Sequence, residues 1–230
     1  AFAADLGHGA DIEVADHAAA LTLSLVRRVV TRDAQVKAGE WNIAQQEPMY
    51  RIADATLGLC GFGKIARSYL HRMRGFGISN VLVFDPYISD EFAAQHGVKR
   101  ASFEEICRQA QIISLHAPAT AETRNIVNAT TLALMNERTC IVNTSRGALI
   151  DTAALAEALK ARKIFGAALD VLDKAPVAAD CPLKGLDNVI LTDHTGWYSE
   201  ASVRSLQEKA GQAAVEMLTT GVPTNWVNKW

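Results

Sequence analysis

The sequence predicts an α/β fold, a Rossmann-type doubly wound parallel sheet, because two patterns occur together. Short continuous apolar runs alternate with amphipathic stretches along the chain, as is typical of parallel strands that helices cover on both faces. A glycine-rich turn, Gly61 to Ile65, directly follows the first apolar run of this series. With right-handed crossovers between the strands, this order predicts a sheet that binds its ligand at the carboxyl ends of the strands.

The expected elements follow from the periodicity of the apolar residues. The six expected strands are Leu57 to Cys60, Val81 to Phe84, Ile112 to Leu115, Cys140 to Asn143, Ala167 to Leu169 and Val189 to Leu191. Helical patterns between them cover Ile65 to Met73, Phe103 to Ala110 and Thr152 to Arg162. Asp151 stands where the N-cap of the last of these helices is expected.

Two further helices are expected outside this alternating region. The charged residues within the segment from Val14 to Val30 exclude a membrane span. The segment is predicted instead to form one amphipathic helix. A last helix is expected to pack on the core through apolar residues at helical spacing. These residues are Val203, Leu206, Ala210, Ala213 and Met217, and the stop signals Gly221 and Pro223 follow them.

The composition indicates a soluble, cytoplasmic enzyme of 230 residues with a formal charge of −2. No cluster of basic residues suggests a nucleic-acid partner, and no segment resembles a membrane span or a signal peptide. The cysteines Cys60, Cys107, Cys140 and Cys181 are widely spaced and form no CxxC pair. They are therefore expected to be reduced core thiols, with no metal or redox site.

The glycine turn begins a candidate nucleotide site. Gly61 would permit the tight bend, and Gly63 would leave room for a pyrophosphate to approach backbone N–H groups at a helix N-terminus. Asp85 ends the next apolar run, 22 residues beyond Gly63, where its carboxylate can accept hydrogen bonds from a ribose diol. Because that charge would repel a 2′-phosphate, the sequence favours NAD over NADP.

Polar residues follow four of the other expected strands. They are His116 after the third, Thr144, Ser145 and Arg146 after the fourth, Asp170 after the fifth, and Asp193, His194 and Gly196 after the sixth. Because parallel strands end at one edge of the sheet, these residues are expected to converge on one crevice. Arg146 can bind a carboxylate through its planar fork, and His194 can exchange a proton with a hydroxyl or carbonyl oxygen. This pair suits the oxidation of a 2-hydroxy acid.

The other histidines and two aromatic residues have simpler interpretations. His8, His17, His71 and His96 are expected at the surface or on helix faces without a catalytic role, and His116 is expected to shape the crevice. Trp197 and Tyr198 would either line a substrate pocket or pack against the last helix.

Several segments resemble the D-isomer-specific 2-hydroxyacid dehydrogenases, and the likeness covers nearly the whole chain. These segments are Glu13 to His17, Gly39 to Trp41, His116 to Arg124, Asn143 to Gly147 with Ala153 to Leu159, and Gly166 to Val171. The segment His194 to Glu200 is similar to the branch that contains the C-terminal-binding-protein corepressors.

The resemblance implies an NAD(H) site and a residue set for it. The implied cofactor-binding residues are Gly61, Gly63, Lys64, Ile65, Asp85, Pro118, Thr123, Thr144, Ser145, Arg146, Asp170, His194 and Gly196. Arg146 would bind the carboxylate and keto oxygen of the substrate, and His194 would be the catalytic acid/base. The implied partners are a small 2-keto or 2-hydroxy acid and a second copy of the chain, which would contact the apolar side of the Val14 to Val30 helix.

Two features depart from the family pattern. Where the family has a Glu-Pro pair whose carboxylate bonds the catalytic histidine, this chain has Ala175 and Pro176, with Asp173 two positions earlier. Asp193 also stands where the family more often has proline. In addition, much of the family's substrate domain has no counterpart, so the chain is expected to be a fragment or truncated form. The alternatives are removal of the missing half, or a degenerate protein that keeps only the cofactor module.

These observations define the expected organisation and function. Residues 1–12 would be a linker from the substrate domain, residues 13–196 the dinucleotide-binding domain, and residues 197–230 a helix and tail that return to the substrate domain. The predicted function is NAD-dependent oxidoreduction between a small D-2-hydroxy acid and its 2-keto acid. The alternative is an NAD(H)-sensing dimeric module that binds other proteins, with little or no turnover.

Overall fold

The computed structural model describes residues 10–41 and 47–222. The helices in these ranges are α1 (Ala10–Val26), α2 (Val29–Lys37), α3 (Lys64–Arg74), α4 (Asp90–Gln95), α5 (Phe103–Gln109), α6 (Ala129–Leu134), α7 (Thr152–Lys160) and α8 (Glu200–Thr220). The strands are β1 (Leu57–Cys60), β2 (Val81–Phe84), β3 (Lys99–Arg100), β4 (Ile112–Leu115), β5 (Cys140–Asn143), β6 (Gly166–Leu169) and β7 (Val189–Leu191). Short 3-10 helices cover Ile52–Asp54 and Gly147–Leu149.

The seven described strands form one parallel sheet in the order β3-β2-β1-β4-β5-β6-β7. β1 lies between β2 and β4, so Leu57 is opposite Val81 on one side and Ile112 on the other. The strand order therefore reverses between β1 and β4, which is the switch point where open α/β sheets bind ligands. The predicted fold class, a doubly wound parallel sheet, is confirmed.

Apolar side chains cover both faces of the sheet. On one face, Leu21 of α1 and Tyr69 of α3 belong to the same buried cluster as Leu59 of β1. On the other face, α5, α6 and α7 bury a second cluster that includes Ile106 and Ile113. Burial on both faces explains why the strands are continuous apolar runs.

The six expected strands all form, and only the start of β6 shifts, to Gly166. The seventh strand, β3, was not expected, because it contains only Lys99 and Arg100, both exposed and charged. The three helices between strands form within two residues of the expected bounds. Asp151 caps α7, since its carboxylate accepts hydrogen bonds from the N–H groups of Ala153 and Ala154.

The expected single helix from Val14 to Val30 is wrong, because the chain turns at Arg27 and Arg28. Arg28 has a left-handed backbone (φ 53°), and its guanidinium lies 4.6 Å from the centre of the Phe165 ring. The apolar face of α1 packs within the chain against α3, β5 and β6. That face is therefore not available to a second subunit, although dimerisation itself stays a prediction.

The expected core role of α8 is also wrong for the described part of the chain. Ser202 is the buried residue of this helix, whereas Met217 is 50% exposed and Leu218 is 87% exposed. Gly221 ends the helix with a left-handed backbone, as the stop signal predicted. Pro223 and His8 lie outside the described residues.

The structure also bears on the expectations for the cysteines and for membrane-spanning segments. Cys60, Cys107 and Cys140 are buried free thiols, and Cys181 is half-buried. No helix among residues 10–41 and 47–222 is long and apolar enough to cross a membrane.

Candidate active site

A cleft of about 710 Å³ opens at the carboxyl edge of the sheet. Its lining includes Gly63, Lys64, Ile65, His116, Thr144, Ser145, Arg146, Asp170, His194 and Trp197, together with Ala10, Asp11 and Val14 of α1. The structure therefore brings most of the expected site residues together from loops that are distant in sequence. Five expected residues are not part of this lining: Gly61, Asp85, Pro118, Thr123 and Gly196.

Gly61 lies beneath the turn, in contact with the end of β4. Its φ is +88°, and a Cβ placed on it would lie 2.8 Å from the carbonyl carbon of His116. Its N–H donates to the Phe84 carbonyl over 2.8 Å. Only glycine fits this backbone and this contact.

Gly63 has a different reason to be glycine. A Cβ placed on it would meet no atom within 4 Å, so the fold itself does not require the missing side chain. Gly63 is the N-cap of α3 and offers no side-chain cap, whereas Asp151 caps α7 with its carboxylate. The open space and the uncapped helix start, which lines the cleft, match what a phosphate needs.

Asp85 joins the end of β2 to the glycine turn. One carboxylate oxygen accepts from the Phe62 N–H over 2.8 Å, and the other accepts from the Tyr87 N–H over 2.9 Å. Each oxygen can accept further hydrogen bonds, so the carboxylate can also bind a diol beside the turn.

Two buried polar atoms at the cleft have no partner among the described residues: Thr144 Oγ1 and His116 Nδ1. Thr144 is 8% exposed. His116 Nε2 lies 2.9 Å from Ser114 Oγ, and burial lowers the pKa of His116 to about 3, so its ring is neutral. Unpaired buried polar groups are costly, and a polar ligand in the cleft would satisfy both. These atoms, the open space at Gly63 and the free start of α3 fit a bound dinucleotide.

Arg146 and Ser145 lie at the end of β5. Arg146 is exposed, and its Nη1 donates to the Ser145 carbonyl over 2.7 Å. Its own carbonyl accepts from Asn143 Nδ2 over 2.9 Å. The next residue, Gly147, lies so close to the backbone that a Cβ on it would be 2.0 Å from the Leu172 carbonyl carbon. These contacts fix the backbone that presents the guanidinium to the cleft.

Asp170 organises the loop that carries His194. Its carboxylate accepts from Thr192 Oγ1 (2.6 Å) and from the N–H groups of Thr195 and Gly196 (both 3.0 Å). Burial by itself would raise the pKa of the Asp170 carboxyl. Hydrogen bonds, His17's the first among them, outweigh that effect and hold the pKa well below its usual range.

His194 is exposed at the cleft with a left-handed backbone (φ 61°), and its N–H donates to the Asp170 carbonyl over 2.9 Å. Within the described residues, its ring has no hydrogen-bond partner. Asp173, the acid two positions before Ala175, does not line the cleft that holds His194. It lines a separate cavity of about 260 Å³ with Lys174 and Cys181. The His194 ring is therefore unpaired within the part of the chain that the structure describes.

Pro118 and Thr123 close a loop of their own after β4. The Thr123 hydroxyl donates to the Pro118 carbonyl over 2.6 Å and accepts from the Thr120 N–H over 2.8 Å. Trp197 lines the cleft, and its ring packs edge to face against the ring of the exposed Tyr198, with 5.8 Å between the ring centres.

His17 is the residue that the sequence reasoning missed. It lies on a face of α1, as expected, but it is half-buried and bonded: its side chain is 22% exposed, with Nε2 3.0 Å from Thr192 Oγ1 and 3.3 Å from Asp170 Oδ1. The available signal was its place in Glu13 to His17, a segment already noted for its family resemblance. Among the described residues, no group of three or more His, Cys, Asp or Glu side chains could hold a metal ion.

The doubly wound sheet, the glycine turn at its switch point and the acid at the end of β2 define a dinucleotide-binding α/β domain. The sequence profile of the D-isomer specific 2-hydroxyacid dehydrogenase NAD binding domain matches residues 19–196. The chain belongs to this family and carries its NAD-binding domain.

The relatives that the chain matches include a reductase and a dehydrogenase. It is 34% identical to the glyoxylate reductase of Korarchaeum cryptofilum over 94% of the chain and 65% of that protein. It is 39% identical to the D-3-phosphoglycerate dehydrogenase of Methanocaldococcus jannaschii over 90% of the chain and 38% of that protein. The chain thus spans less than two thirds of the length of these two relatives.

A solved structure gives the same result for the fold. The D-lactate dehydrogenase of Lactobacillus jensenii, determined with NAD⁺, superposes with a TM-score of 0.83 and 27% identity. The match covers 95% of the chain and 69% of that structure. The likeness to the corepressor branch stays a prediction.

Proposed function

We propose that this chain supplies the cofactor site and the acid/base of an NAD-dependent dehydrogenase that interconverts a small D-2-hydroxy acid and its 2-keto acid. The observation that carries the proposal is the presence of Arg146 and His194 in the same cleft as the uncapped start of α3. The names of the relatives, glyoxylate reductase and D-lactate dehydrogenase among them, support small 2-keto acids as the substrate class.

Each residue has a distinct role in this proposal. Gly63 and the N-terminal N–H groups of α3 bind the pyrophosphate, while Asp85 binds the adenosine ribose. Thr144 and Asp170 face the nicotinamide side. NAD, when bound, accepts or donates the hydride at C2 of the substrate.

Arg146 and His194 act on the substrate. The guanidinium of Arg146 binds the carboxylate through two parallel hydrogen bonds and polarises the neighbouring keto oxygen. The ring of His194 takes the proton of the C2 hydroxyl during oxidation and returns it to the oxygen during reduction. A fixed geometry matters because misplacement of either group lowers the rate steeply.

The proposal also includes the cellular compartment and the oligomeric state of the protein. The free cysteines support a reducing compartment such as the cytoplasm. The exposed apolar residues Val29, Val30 and Val36 of α2 support a homodimer.

The decisive experiment separates cofactor binding from turnover. Calorimetry on this chain is expected to detect NADH binding. A longer form that extends to the length of the relatives is expected to oxidise NADH with at least one member of a 2-keto acid panel. Arg146→Gln in that form should abolish measurable turnover, whereas Arg108→Gln on the far side of the sheet should not change it.

The outcomes distinguish the parts of the proposal. No NADH binding by the folded chain would contradict the cofactor site. Binding without turnover on any 2-keto acid would contradict the dehydrogenase activity and favour the NAD(H)-sensing alternative.

A further inference from the structure

The loop from Thr192 to Ser199, which carries His194, contacts one face of α1 at both of its ends. At the first end, His17 Nε2 lies 3.0 Å from Thr192 Oγ1. At the other end, Ser199 Oγ donates to Glu13 Oε1 over 2.7 Å. Glu13 and His17 are four residues apart, so they lie on the same side of the helix.

The hydrogen-bond pattern at Thr192 assigns the proton of His17. The hydroxyl hydrogen of Thr192 is donated to Asp170 over 2.6 Å, and a hydroxyl has only one hydrogen to give. Thr192 Oγ1 must therefore accept from the imidazole, so His17 Nε2 carries a hydrogen. That N–H is shared with Asp170 Oδ1 at 3.3 Å.

The His17 ring also limits where the loop can lie. A Cβ on Gly196 would be 3.1 Å from His17 Cδ2 and 2.9 Å from Asp170 Oδ2. The backbone of Gly196 therefore packs directly against the His17 ring and the Asp170 carboxylate.

Glu13 makes the second contact through one of its two carboxylate oxygens. Its Oε1 accepts from Ser199, and its Oε2 is buried without a partner among the described residues. Ser199 also caps α8, because its Oγ accepts from the Ser202 N–H over 2.9 Å. This contact links α1 to the start of α8.

We propose that His17 and Glu13 are positioning residues that fix the His194 loop from α1, with His17 acting through Thr192 and Asp170. This inference rests on the proposed function, because it names what orients the acid/base of that same site. Neither residue touches the reacting atoms in this scheme. Their effect is to keep the loop in the one conformation that presents His194 and Asp170 to the nicotinamide end of the cofactor.

The experiment compares His17→Phe, which keeps a ring but removes the N–H donor, with His17→Gln, which restores a donor at similar reach. Asp16→Asn is the matched control, since Asp16 is the neighbouring residue of α1 and pairs with Arg72 instead. The measurements are amide hydrogen exchange at Thr195 and Gly196, and the affinities for NADH and for ADP-ribose, which lacks the nicotinamide.

In His17→Phe, the amides of Thr195 and Gly196 are expected to exchange about tenfold faster. NADH binding should weaken by about three- to tenfold, the effect of one lost hydrogen bond. The affinity for ADP-ribose should stay the same. His17→Gln and Asp16→Asn should both behave like the original chain.

Unchanged exchange in His17→Phe would overturn the inference, as would an equal loss of NADH and ADP-ribose affinity or a failure of His17→Gln to restore the loop. If the original chain binds neither NADH nor ADP-ribose, the proposed function fails, and the exchange rates still decide the positioning role. If His17→Phe does not fold, Glu13→Ala replaces it. That variant should accelerate exchange of the Tyr198 amide, and an unchanged rate would contradict the inference.

Discussion

The turn after β1 and the loop after β7 face the same cleft, but different interactions fix their conformations. The turn depends on the backbone of Gly61 and on the Asp85 carboxylate, which accepts from the N–H of Phe62, 23 residues earlier in the chain. The loop depends on side chains from far along the chain, with His17 bonded to Thr192 across 175 residues and Glu13 to Ser199 across 186. One part of a site at a sheet edge can therefore be fixed by residues close in sequence, while another part depends on contacts between residues far apart in sequence.

The largest expected effect tests the backbone control of the turn. Gly61→Ala should destabilise the fold by about 2–5 kcal/mol, because a left-handed alanine is strained and its Cβ meets the His116 backbone. Gly63→Ala is the matched control for stability, since its Cβ has open space. It should keep the original melting temperature but weaken NADH binding by about tenfold, because the methyl group occupies the phosphate approach.

Urea unfolding and NADH titration measure these two effects. If Gly61→Ala were as stable as the original chain, the turn would not depend on its glycine backbone. If Gly63→Ala bound NADH normally, the pyrophosphate would lie elsewhere.

A smaller effect is expected from removing the charge that organises the loop. Asp170→Asn should lower the free energy of unfolding by about 2–3 kcal/mol at pH 7, because an amide cannot accept all of the donors that meet the carboxylate. The pKa of Asp170 in the folded chain lies below its unfolded value of 3.8. Its stabilising contribution is therefore complete above that value and is lost as the pH falls through the folded pKa.

The measurement is urea unfolding of both proteins between pH 7 and pH 3. The stability difference should be constant at neutral pH and narrow at the acidic end. A difference that grew on acidification would show that the Asp170 carboxylate does not stabilise the loop.

The smallest effect sharpens the role of the turn in cofactor choice. Asp85→Ala should raise the ratio of NADPH affinity to NADH affinity by about tenfold, because the repulsion of a 2′-phosphate is removed. Asp90→Asn removes a nearby exposed acid that pairs with Arg100 and should not change the ratio. An unchanged ratio in Asp85→Ala would mean that Asp85 does not contact the ribose.

The same contrast explains which parts of the fold could be predicted. The apolar strands were found because burial on both faces leaves a continuous pattern, whereas β3 was missed because Lys99 and Arg100 carry no such pattern. At the break between α1 and α2, Arg28 contacts Phe165, and no local signal in the sequence announces that contact. The apolar residues of α8 could be recognised from their helical spacing. The sequence did not show that the described chain leaves them largely unburied.

The candidate site divides in the same way. Gly61, Gly63 and Asp85 could be identified because their spacing is fixed by one strand, one turn and the next strand. For His17 the sequence offered only its place in the family-like segment Glu13 to His17, because its role arises from contacts with Thr192 and Asp170 that form after α1 docks on the sheet. A histidine on a helix gives no sign of which loop it will meet.

The short strand β3 has a consequence for how copies of the protein meet in a crowded solution. It forms one margin of the sheet and offers only two residues, Lys99 and Arg100, both exposed and positively charged. A second copy that tried to add a strand there would find few free backbone groups and would bring like charges together. This margin therefore disfavours the edge-to-edge growth that leads parallel sheets into fibres.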